Sequence, residues 1–158
     1  MKIIKKAGII AGSIAGCAIG GTLSLTGKLT NIKPLDSLGQ NIFNSFLYTG
    51  EIAGELISGA SDITLGKIKK DEIRFQKGKT DLKTGGEKII KNYISNFRLI
   101  GHGGAEIATG VLKHDKVRVI KGSKRLVKIF TVGILTVGAI KIEDDEENEN
   151  KNQKIQTR

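Results

Sequence analysis

The chain has 158 residues, with 26 Lys/Arg against 16 Asp/Glu and a net charge of +10. Aromatics make up 4%, Trp is absent and Cys occurs once, which excludes an intramolecular disulfide framework and argues against a large aromatic-anchored core. Glycine is in surplus, at 21 residues where average usage gives roughly 11. With one Pro beside them, these glycines belong in packed elements and turns rather than in a disordered linker.

Residues 1–27 form the first element, a hydrophobic segment read as a helix from about Ile3 to Thr26. Gly8, Gly12, Gly16 and Gly20 recur every fourth residue and line one helix face. Ala7, Ala11 and Ala15 flank that groove, and no charge interrupts Ala7 to Gly27. A smooth groove of this kind lets another helix backbone come close, a recurrent driver of helix association in lipid, and the run is long enough to span a hydrocarbon core. The expectation is a membrane anchor that self-associates into a homo-oligomer through these four glycines.

Lys2, Lys5 and Lys6 precede this run, and Ile14-Ala15-Gly16-Cys17 resembles a bacterial lipobox. The resemblance implies cleavage before Cys17 and lipidation of its sulfur, hence an envelope lipoprotein as the alternative to an uncleaved anchor. It covers only the first 17 residues, with Ile at the first lipobox position. Either way the expected location is the bacterial inner membrane or envelope, with membrane lipid as a partner and a protein partner open.

Gly27-Lys28 and Pro34 break the chain, giving a linker over 28–36. A small basic domain is expected over 37–142. Ser37-Leu38-Gly39-Gln40 has the form of a capping box, and Leu38, Ile42, Phe43, Phe46, Leu47, Gly50, Ala53, Gly54 and Ile57 then recur at helical steps. Gly50 and Gly54 repeat the small-residue spacing on the apolar flank, while Glu51 and Glu55 fall on the wetter side. Lys67 to Lys83 reads as a strand or loop around Ile73-Arg74-Phe75, with a turn near Gly78. A second amphipathic helix fits Glu87 to Leu112, its apolar face running through Ile90, Tyr93, Ile94, Phe97, Gly101, Gly104, Ala105, Ala108 and Val111. Beyond Asp115, Val117–Ile120 and Arg125–Phe130 look β-like around a turn at Lys121–Lys124, and the uncharged run 129–140 reads as a buried strand or re-entrant piece.

Two stretches look alike. Asn41-(x4)-Phe46-(x3)-Gly50 matches Asn92-(x4)-Phe97-(x3)-Gly101, and Asp71-x-Ile73-Arg74-Phe75-x-Lys77-Gly78 matches Asp115-x-Val117-Arg118-Val119-x-Lys121-Gly122. The fold class expected is therefore α+β, mainly α, with a duplicated helix-plus-ribbon unit over 37–83 and 87–130. Residues 67–128 carry 17 basic and 6 acidic side chains, whereas 143–158 carry six acids against three bases and read as a disordered acidic tail. Arg74, Lys77 and Lys79 of one ribbon, with Arg118, Lys121 and Lys124 of the other, would meet an anionic surface. Phospholipid fits better than nucleic acid, because only Phe75 is available for base stacking. A basic nucleic-acid-binding assembly protein is the third reading.

No catalytic signature is present. Cys17 lacks an activating His or cation, and His102 with Glu106 supplies two of the four ligands a structural metal site needs. Lys83–Lys88 and Gly101–Gly104 lack phosphate-loop spacing and context. A non-enzymatic protein without catalytic residues, cofactor or metal is expected.

Overall fold

The computed structural model describes residues 2–136 and 141, and among them the chain is helical apart from its turns. Helices α1 (Lys2–Gly16) and α2 (Thr22–Leu29) form one rod joined by a π-helical turn, Cys17–Gly21. Three further helices follow: α3 (Lys33–Lys69), α4 (Glu72–Leu112) and α5 (Lys116–Thr136). Each runs antiparallel to the one before. The central helix α3 takes the α1–α2 rod on one side and α4 on the other, and α5 folds back on α4 and reaches α3 near its end.

The α+β expectation is overturned, since no strand occurs among the described residues. Both supposed basic ribbons are the first turns of helices. Asp71 caps α4 by accepting a hydrogen bond from the Arg74 N–H at 2.9 Å, and Asp115 receives the Arg118 N–H at 3.2 Å ahead of α5. The alternation in Val117-Arg118-Val119-Ile120 is too short to outweigh these caps and the packing that follows them. Residues 129–136 belong to α5, not to a buried strand. The rest of that run, and the tail over 143–158, lie outside the described residues. Glycines that ought to weaken α4 leave it unbroken from Glu72 to Leu112.

One turn design joins all the rods. Gly27, Gly66 and Gly110 accept hydrogen bonds from the N–H groups of Ile32, Asp71 and Asp115 at 2.8, 2.8 and 2.7 Å. The intervening Asn31, Lys70 and His114 take left-handed φ values of 56°, 52° and 52°. These are Schellman helix ends whose final residue starts the next helix. Glycine is required at the first position because the returning helix lies on it. A Cβ on Gly66 would sit 2.6 Å from the Phe75 nitrogen and one on Gly110 2.8 Å from that of Val119, while on Gly27 it would run into Asp36.

The interior is unusual in content. Of the buried described residues, thirteen are glycine, six are polar and four are the large apolar Ile42, Ile52, Ile129 and Val132. Backbone contact, rather than interlocked side chains, fills the space between rods.

Candidate membrane-facing surface

The glycine ladder predicted in the first helix faces α3 of the same chain. A Cβ on Gly8 would collide with the Gly50 carbonyl and lie 2.9 Å from the Gly54 Cα, and one on Gly12 would strike the Phe46 carbonyl. On Gly16 it would come within 3.0 Å of the Phe43 carbonyl oxygen, and on Gly20 within 2.5 Å of that of Gly39. The π-helical turn keeps this contact going. A four-residue step overshoots one α-helical turn by about 40°, so the ladder drifts around the rod, and the wider turn at Cys17–Gly21 brings Gly20 and Gly27 back against α3. Gly50 and Gly54 supply the facing surface. The ladder therefore joins two helices of one chain in this structure.

With glycine turned inward, the apolar side chains point out. Ile3, Ile10, Ile14, Leu25 and Leu29 lie on the outer face of the α1–α2 rod, Ile10 and Ile14 at 57% and 66% exposure. The rod from Ile3 to Leu29 is the one helix among the described residues long and apolar enough to cross a membrane, a property that also fits signal sequences and core helices. Cys17 is exposed at the start of the π turn. Cleavage before it would remove α1, the contacts of Gly8, Gly12 and Gly16 with α3, and the Lys5–Asp81 ion pair.

Charges are drawn inward to close α3 on α4. Asp62 is 1% exposed and accepts hydrogen bonds from Arg74 and Lys77, both at 2.8 Å. Lys77 also lies 3.7 Å from Asp81, which Lys5 of α1 reaches at 2.7 Å. Burial acts to raise the Asp62 pKa, but the hydrogen bonds from Lys77 and Arg74 outweigh it, and the carboxyl titrates below its ordinary range. Glu51 and Glu55, expected on a solvated face, turn to α4 and hold the Lys88 ammonium at 2.7 and 2.8 Å. Burial works against the charged Lys88, yet these two bonds raise its pKa. Glu106 binds Arg125 of α5 at 2.8 Å and stands 3.7 Å from Lys121.

The six basic residues expected at an anionic surface are thus divided. Arg74, Lys77 and Lys121 serve these inter-helix ion pairs, and Arg118 pairs with Asp115 at 3.2 Å. Lys79 lies over the Phe75 ring at 5.3 Å, and Lys124 is exposed. The structure does not gather them into one patch. His102 is exposed beside a Glu106 already held by α5, and no group of three or more potential metal ligands occurs among the described residues. The buried acids Asp62 and Asp81 escaped the sequence reading, because Arg74 lies 12 residues from Asp62 and Lys5 lies 76 from Asp81, and each pair meets only once the helices pack. Comparison with protein families, curated proteins and solved structures yields no match to this chain.

Proposed function

We propose that this is a non-enzymatic membrane-surface protein whose α1–α2 rod lies in the bilayer interface with its outer apolar face in lipid. The observation that carries this reading is the inverted side-chain distribution: glycine and paired charges inside, Ile3, Ile10, Ile14, Leu25 and Leu29 outside. The zipper to α3 holds the rod so that one face alone is offered, which suits an interfacial helix better than a lone spanning one. Lys6 and Lys28, exposed near the two ends of the rod, favour anionic headgroups.

Flotation of the full chain with vesicles tests it. The chain should rise with phosphatidylglycerol-containing vesicles, and Ile10→Asp with Ile14→Asp should abolish flotation while leaving helix content unchanged, because both side chains already face solvent. A chain that stays at the bottom of the gradient, or a double variant that floats as well as the parent, defeats the proposal.

A further inference from the structure

The turns at the two ends of α4 are built alike. Gly66-x-Ile68-Lys69-x-Asp71-x-Ile73-Arg74 at the α3–α4 turn matches Gly110-x-Leu112-Lys113-x-Asp115-x-Val117-Arg118 at the α4–α5 turn. The fold accounts for three of the shared positions. Glycine takes the returning helix, Asp caps the next one, and Arg pairs with Asp62 or Asp115. The two aliphatic positions are left in solvent: Ile68 and Ile73 are 72% and 85% exposed, Leu112 and Val117 81% and 75%. Lys67, Lys69 and Lys70 flank the first pair, and Lys113 and Lys116 the second. All five are exposed and form no ion pair among the described residues. At the α4–α5 turn, Gly110, Val111, Val119 and Ile120 also line an open recess of about 450 Å³, with His114 and Lys116 in its wall.

We infer that both ends of α4 insert these aliphatic pairs into an anionic bilayer, with the unpaired lysines on its headgroups. The inference rests on the membrane reading of the α1–α2 rod and extends the contact to both hairpin ends. The first turn of the chain supplies the link. Leu29 stands two residues after Gly27, as Ile68 and Leu112 do after Gly66 and Gly110, and it belongs to the outer face of the rod at 79% exposure. Apolar side chains beside free lysines match the layers of an anionic bilayer, hydrocarbon beneath phosphate. Nucleic acid would engage the lysines and leave the aliphatic pairs in water. With 41 residues, α4 holds its two ends about 60 Å apart, so they touch down at separate points. Each pair is too small to hold the chain alone, and the ends follow the rod to the surface.

The chain has no Trp, so a single introduced indole reports its own surroundings. Full-length Ile68→Trp and Leu112→Trp chains should each show a blue shift of emission on mixing with phosphatidylglycerol-containing vesicles. Helix content should stay as it was, because both side chains already face solvent. Changing Lys67, Lys69 and Lys70 to Gln should remove the shift at position 68 and keep it at position 112, so that each end serves as control for the other. Unshifted emission at either position in a chain that floats with the vesicles overturns this inference and leaves the rod reading intact. A chain that does not float defeats both. A triple-Gln variant that keeps its shift at position 68 also overturns the inference. So does a shift that appears without vesicles and grows with protein concentration, which would mean that a second copy covers the ends.

Discussion

On α3, the face through Phe43, Phe46, Gly50 and Gly54 is covered by α1, whereas the face of α4 at the same spacing, through Ile94, Phe97, Gly101 and Ala105, is bare. The two stretches share the Asn-(x4)-Phe-(x3)-Gly pattern, so residue types alone do not set the difference. Connectivity does. The short turn at Asn31 returns α3 directly onto the ladder of α1, while the neighbours of α4 along the chain are spent on its other faces. A glycine in this protein is therefore costly or indispensable according to what lies opposite it. Against a backbone it permits the contact, and against solvent it only weakens the helix.

The harshest way to break the covered side is to strip its charges. Changing both Arg74 and Lys77 to Met leaves Asp62 buried without its cations and should cost about 3–5 kcal/mol in urea unfolding. The pH dependence follows from the same site. The folded pKa of Asp62 lies below the unfolded value of about 3.9. Its contribution to stability is complete above that value and is lost as pH falls through the lower folded one. Asp62→Asn should flatten this acid limb in unfolding measured from pH 6 downward, and an unchanged limb would show that the ion pairs do not hold α3 to α4.

A milder test works on the zipper itself. Gly50→Ala places a methyl group against the Gly8 carbonyl and should destabilise by about 1–3 kcal/mol despite the better helix former. The matching change on the bare face, Gly101→Ala, meets nothing and should stabilise the monomer by about 1 kcal/mol. Thermal unfolding of the pair reads the contrast directly, and the same sign of change at both positions would dissolve it.

Much of the helix-packing surface was legible before folding. The four-residue steps of Gly8 to Gly20, and Gly50 with Gly54 on an apolar flank, mark faces where backbones meet. What they meet was not legible, because small-residue spacing carries no address. A helix of another copy and α3 of the same chain satisfy it equally until the turn at Asn31 chooses. Glu51 and Glu55 were misplaced for a related reason, since Lys88 lies far along the chain and reaches them only once α4 folds back. The β-like reading of Ile73–Phe75 and Val117–Ile120 came from judging alternation over four residues. The Gly-(x4)-Asp spacing at 66–71 and 110–115 was the better signal, pairing a helix end with the next helix start.

That turn design also bears on how quickly the molecule assembles. Each junction brings residues nine apart, 27 with 36, 66 with 75 and 110 with 119, into backbone contact, so every hairpin starts from a short loop. Pairing then spreads outward from the turn in steps that each close little further chain. Architectures with contacts this local reach their native state in about microseconds to milliseconds. They also come apart from their free ends, where neighbours along the bundle are fewest.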